Sequence, residues 1–111
     1  MKPDKELLYF VIEQMDLLER RIEHVTKEQF LKDDILYDAC VMKVMVIGEY
    51  ASRLSNEFKA NHPEIEWQII KAVRNYYAHD YGNLTPVRVW GTITNDVPVF
   101  KKQLVTILNE I

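Results

Sequence analysis

Ala39-Cys40-Val41-Met42-Lys43-Val44-Met45-Val46-Ile47 is the stretch on which the fold turns. It is apolar nearly all round and β-branched in much of its second half, so Val41–Ile47 taken alone also reads as a buried strand. Its surroundings favour a helix. No turn signal separates it from Glu49–Phe58, which has a helical pattern, and no partner strand is visible elsewhere. The reading is one long helix from Ile35 to Phe58, with Asp33 or Asp34 as its cap. A helix apolar on nearly every side needs cover on nearly every side. The expectation is that part of this helix forms a homodimer interface. The alternative is a central helix buried within one chain.

Outward from that stretch the pattern stays helical. Towards the N-terminus, Leu8, Val11, Ile12, Met15, Leu18, Ile22 and Val25 make one apolar face, which predicts a helix from about Asp4 to Val25. Thr26 followed by Gln29 is a capping-box pattern and opens a short helix to about Lys32. Towards the C-terminus, Pro63 with Glu64 and Glu66 suits a first helical turn. Ile65, Ile69, Ile70 and Val73 continue that helix into Arg74, and Gly82 and Asn83 are stop residues. Thr85-Pro86 reads as a cap plus first helical residue. Trp90, Ile93, Val97, Phe100, Leu104, Ile107 and Leu108 then keep helical phase to the end. Pro98 inside this pattern predicts a kink, or two helices abutting near Asn95. The fold class is all-α: an up-and-down bundle of roughly four to five helices.

Composition narrows the function classes. The chain has 111 residues, enough for one domain, 1–111, with a modest core. Its 48% hydrophobic and 28% charged residues mark a globular protein rather than a disordered one, and three glycines and four prolines leave little turn material. A net charge of −3 argues against a protein that coats nucleic acid, but it leaves room for a local phosphate site. The single cysteine, Cys40, has no partner in the chain, which points to a reducing compartment. Met1-Lys2-Pro3-Asp4-Lys5-Glu6 carries charge where a signal peptide is apolar, and no run reaches the length of a membrane span. The expected location is cytoplasmic, with no membrane partner.

Arg74-Asn75-Tyr76-Tyr77-Ala78-His79-Asp80-Tyr81 concentrates the chemistry. Arginine grips a phosphate with two parallel hydrogen bonds, and histidine moves a proton near neutral pH. Together they suffice to break an RNA phosphodiester without a metal. The histidine takes the 2′-hydroxyl proton and the arginine stabilises the transition state. DNA lacks that hydroxyl, so the substrate is RNA. Asn75 and Tyr77 are candidate supporting, RNA-binding residues, although Tyr76 and Tyr77 also read as packing residues. Asp80 reads as solvated or as an orienting partner for His79. Residues five apart on a helix point about 140° away from each other, so Arg74 and His79 cannot grip one phosphate from one unbroken helix. Either the helix ends near Tyr77 and His79 folds back, or two copies of the motif face each other across a dimer axis. An Arg-x4-His spacing alone arises often by chance, and both residues also serve as helix-end caps. His24, Cys40 and His62 lack metal-ligand spacing and read as structural or surface residues. Gly48, Gly82 and Gly91 are isolated and make no phosphate loop. Trp67 and Trp90 read as core or interface residues. No metal and no cofactor are expected.

The motif and its flanks resemble the HepT-like proteins of the HEPN superfamily, also known as the domain-of-unknown-function 86 group. Their signature, Arg-x4-6-His and commonly Arg-Asn-x-x-x-His-x-Tyr, fits residues 74–81 at each fixed position. Ile65-Glu66-Trp67 through Ile70 and Val89-Trp90 through Val97-Pro98 are similar to the family's flanking helices. The resemblance implies a helical homodimer in which two motifs line one cleft. It implies a metal-independent endoribonuclease, the toxin of a type VII toxin–antitoxin pair whose antitoxin is a minimal nucleotidyltransferase, MntA. Arg74 and His79 would be catalytic and Asn75 supporting, and Tyr81 would receive AMP from the antitoxin. Tyr76 and Tyr77 make the variable positions unusually aromatic, and the acidic net charge departs from what RNA affinity asks. Two other readings stand beside this one: a non-catalytic nucleotide- or substrate-binding subunit of a nucleotidyltransferase complex, and a purely structural helical dimer.

Overall fold

The computed structural model describes residues 3–111; Met1 and Lys2, the start of the charged N-terminal stretch, lie outside them. Its helices are α1 (Asp4–Ile22), α2 (Lys27–Leu31), α3 (Asp34–Ser52), α4 (Asn56–Asn61), α5 (Trp67–His79), α6 (Pro86–Gly91) and α7 (Val97–Glu110). A 3-10 turn, Tyr81–Asn83, follows α5, and a π-helical segment, Thr92–Asp96, joins α6 to α7. No strand occurs among the described residues, so the fold is all-α as expected.

The fold-deciding stretch is helical, with Asp33 as its cap: its carboxylate accepts from Leu36 N–H at 2.9 Å. Its apolar girth is met from within the chain. α3 is packed by α1 on one side and α5 on another, which buries Cys40, Val41, Val44, Ile47 and Ala51. Two flanking helices therefore cover much of the girth of α3 within one chain, as the central-helix alternative has it. Met42 and Ile35 remain exposed.

Three expected boundaries move. α1 ends at Ile22 rather than Val25, because His24 takes a left-handed backbone conformation (φ 67°) that turns the chain towards α2. The expected Ile35–Phe58 helix is two helices. Ser55 caps α4 by accepting from Phe58 N–H at 3.0 Å, while its own N–H and hydroxyl donate to the Asp4 carboxylate at 2.8 and 2.6 Å. That contact ties the start of α1 to the end of α3, so the two run antiparallel. Pro63, Glu64 and Glu66 lie in the turn before α5 and not in its first turn, which begins at Trp67.

The remaining local signals form as read. Thr26 and Gln29 make both bonds of the capping box, and Thr85 caps α6 with Pro86 at its first turn. Before Pro98 the helical run continues without a break in its hydrogen bonding. It widens into the π segment, where Val97 N–H reaches Thr92 O, five residues back. A wider turn accommodates a ring that would clash with a tight one. Buried Gln14 accepts from Lys43, whose pKa is lowered, chiefly by burial. Trp67 stands edge-on to Phe100 and donates to His62 O at 3.0 Å, and Trp90 stacks 5.2 Å from Phe30. None of the described helices is long and apolar enough to cross a membrane.

Candidate functional site

α5 carries the motif because its apolar positions, Ile70, Val73 and Tyr77, dock one face against the core and leave the other in water. It runs antiparallel to α3, with Arg74 near Ser52 and Tyr81 near Asp38. The helix stays intact through His79 and closes at Asp80, whose N–H bonds Tyr76 O at 2.9 Å. The fold-back geometry, with helix ending near Tyr77, therefore does not form. Five helical steps keep the two side chains about 140° apart.

Arg74 lies along α3, half-buried. Its Nη1 donates to Ser52 Oγ at 3.1 Å and its Nε stands 3.4 Å from Glu49 Oε2. Nη2 has no protein partner among the described residues. The close approach is possible because α3 has Gly48 there: a Cβ at that position would meet Arg74 Cβ at 2.9 Å. His79 sits on the last turn of α5, exposed to solvent. One chain by itself does not bring Arg74 and His79 together.

The other motif residues separate by environment. Asn75 is half-buried. Tyr77, expected among the RNA contacts, is 2% exposed and donates its phenolic hydrogen to Thr92 Oγ1 at 2.8 Å. Its ring packs with the core and only its edge reaches the surface. Burial raises its pKa, consistent with a phenol that stays protonated. Asp80 accepts from Asn83 Nδ2 at 2.7 Å, which braces the 3-10 turn. Tyr81 is half-exposed and donates to Asp38 Oδ1 at 3.0 Å; that bond is the main cause of its raised pKa.

Sequence reasoning did not find the partners Glu49, Ser52 and Asp38, nor the role of Gly48. A glycine inside an apolar helical run was the available signal, because it marks close approach. Lys43 faces Gln14, whereas Arg88 donates from Nη1 to Tyr76 Oη at 2.9 Å with its guanidinium carbon 5.0 Å over that ring. His62, half-buried, stacks 4.6 Å from Phe58, and His24 is exposed on its turn. No group of metal-binding side chains occurs among the described residues.

A family model described as "Ribonuclease HepT-like" matches residues 11–107. The chain is similar to the protein named "Putative RNase" of Caldanaerobacter subterraneus subsp. tengcongensis, 29% identical over 99% of this chain and 98% of that one. It is also similar to the "Probable ribonuclease HepT" of Thermococcus cleftensis, 30% identical over 87% of this chain and 88% of the relative. No solved structure matches the chain.

Proposed function

The chain belongs to the HepT-like ribonuclease family, and from that premise we propose that it is a metal-independent endoribonuclease working as a homodimer. His79, in its neutral form, accepts the proton of a ribose 2′-hydroxyl. The freed oxygen attacks the adjacent phosphorus, the bond to the 5′-oxygen breaks, and the leaving oxygen takes up a proton from water, giving a 2′,3′-cyclic phosphate and a 5′-hydroxyl. Arg74 stabilises the charge that builds on the phosphoryl oxygens. Because the two residues diverge by about 140° on α5, the site takes Arg74 and His79 from both copies across a shared cleft. Asn75 supports the phosphate.

The observation that carries this reading is the state of Arg74. It is fixed by Ser52 and Glu49 through Nη1 and Nε, leaving one guanidinium nitrogen without a protein partner, on the same helix as the exposed His79. An arginine held in place loses less freedom on gripping phosphate than a mobile one.

Regulation follows from Tyr81. We propose that a cytoplasmic MntA-like nucleotidyltransferase, the antitoxin of a toxin–antitoxin pair, transfers AMP to its phenol. Tyr81 is 49% exposed and two positions past His79, so an adenylate there adds bulk and negative charge beside the RNA site. A second reading, a non-catalytic nucleotide- or substrate-binding subunit, draws support from Glu49, which already occupies one edge of the Arg74 guanidinium.

The deciding experiment is RNA cleavage in EDTA by the purified protein beside His79→Ala. Cleavage that leaves a 2′,3′-cyclic phosphate and disappears in the variant supports the ribonuclease. Equal cleavage by both rejects His79 as its base. If both proteins are inert, and mass spectrometry finds Tyr81 unmodified, the binding-subunit reading prevails.

A further inference from the structure

Between α5 and the α6–π run lies an open groove of about 500 Å³ that the arginine–histidine chemistry does not use. Tyr77 and Thr92, bonded to each other, are part of its lining, as are Tyr76 from α5 and Arg88, Gly91 and Asn95 from the facing helix. We propose that this groove seats a nucleotide flanking the scissile bond of single-stranded RNA. Its phosphate lies on Arg88 and its base against the Tyr76–Arg88 pair. The proposal rests on the ribonuclease reading for the identity of its ligand.

Charge is the first argument. Arg88 is exposed over the groove, and among the described residues no carboxylate forms an ion pair with it. In a chain of net charge −3, an exposed guanidinium free of an ion pair offers a phosphate contact at its own end of the groove, although Asp96 also lines it. The guanidinium is also held in place. Arg88 Nη1 donates to Tyr76 Oη at 2.9 Å, and that hydroxyl donates to Asn83 O at 3.3 Å. A guanidinium braced in this way keeps further donors for a phosphate and gives up little rotamer freedom on binding it.

Shape is the second. An aromatic ring and a guanidinium plane are the two protein surfaces on which unpaired bases stack. In a duplex the bases are stacked within the helix, which selects for single strands. Gly91 keeps the groove wall open, since a Cβ there would meet nothing within 4 Å. Asp96, also on the lining, repels a phosphate and accepts from an exocyclic amino group, so the phosphate goes to Arg88 and the base edge faces Asp96.

Continuity is the third. Tyr76 and His79 are three residues apart on one intact helix, which places them on the same face about one turn apart. A strand cut at His79 therefore passes the mouth of the groove with its next nucleotide.

The test uses the full chain carrying His79→Ala, so that binding is read without cleavage, and a fluorescent single-stranded RNA of about 12 nucleotides. Adding Arg88→Ala is expected to weaken affinity about tenfold and to reduce the salt dependence by about one counterion. Adding Gly91→Leu, which fills the groove from a position with open space, is expected to weaken it comparably with no fall in melting temperature. Arg20→Ala removes one positive charge from α1, away from the groove, and is expected to stay within about twofold. Parental affinity in both groove variants overturns the subsite, and so does an equal loss in Arg20→Ala, which would mean bulk charge alone. The same substitutions in the His79 protein are assayed for cleavage. If the parent, with Tyr81 unmodified by mass spectrometry, never cleaves yet the binding pattern holds, the ribonuclease reading falls and the groove stands as a single-strand RNA subsite. If cleavage depends on His79 but neither groove variant alters binding, the subsite falls and the ribonuclease stands.

Discussion

Gly48 on α3 and Arg74 on α5 meet with no room for one further carbon: a Cβ at Gly48 would stand 2.9 Å from Arg74 Cβ and 3.2 Å from its Cγ. The atom it meets is at the root of the arginine side chain, so the helix backbone must move rather than a flexible tip. Gly48→Ala gains about 1 kcal/mol of helix propensity. Separating two packed helices costs about 1–3 kcal/mol, so the expected net effect is destabilising. Urea denaturation should show a lower midpoint with an unchanged slope. Cleavage should fall more than stability does, because the displaced residue is Arg74. A Gly48→Ala protein as stable as the parent would mean that the helices are less closely packed than this.

Arg74→Lys separates charge from geometry. Lysine keeps the cation but has one nitrogen, which cannot reach Ser52, Glu49 and a phosphate together. The Arg74–Glu49 pair is partly exposed, and such pairs contribute about 0–1 kcal/mol, so the melting temperature should move little. RNA cleavage should fall by about tenfold or more, in keeping with the loss of a transition-state donor. Full activity in Arg74→Lys would reduce the role of this residue to charge alone.

The all-α fold was legible because its evidence is local. The Thr26–Gln29 box, the Asp33 cap and Thr85-Pro86 each carry their partners within four residues, and each forms as read. One misplaced boundary depends on a distant residue. The break after Ser52 is secured by Asp4, 51 positions before Ser55, and the burial of α3 depends on α1 and α5 arriving at its sides. The π register before Pro98 is a choice of backbone hydrogen bonding that the side-chain pattern does not encode. The candidate site divides the same way. Residues 74–81 stand out as a motif, whereas Glu49, Asp38 and the Arg88–Tyr76 clamp are brought to it by packing. Tyr77 was ambiguous because a tyrosine's spacing does not say which way its face is covered.

Tyr81 and Asp38 give a pH-dependent signature. The hydrogen bond to Asp38 raises the Tyr81 pKa above that of a free tyrosine, about 10. A raised folded-state pKa means that the bond's contribution is complete below about pH 10 and is lost as pH rises through the folded value. In an ultraviolet titration, the difference between wild type and Tyr81→Phe isolates this phenol. In the Asp38→Asn background the same difference should move to lower pH. Identical curves in the two backgrounds would show that the bond does not persist in solution.

Cys40 reports on opening of the core around α3. Its side chain is fully buried, and burial pushes its pKa up to about 11, with Arg21 opposing. At pH 8 a free cysteine is about one-quarter thiolate, whereas a thiol with a pKa of about 11 is ionised to about one part in a thousand. Reaction with a disulfide reagent should therefore be at least about a thousandfold slower than for free cysteine, through low ionisation and exclusion together. It should accelerate with urea in step with unfolding, and Gly48→Ala should label faster than wild type. The same shift carries a stability term with a definite sign. The folded state holds the thiol proton more tightly, so stability should decline as pH rises from about 8.5 towards about 11. Labelling of the native protein at a rate near that of free cysteine would show that α3 is not covered by α1 and α5 in solution.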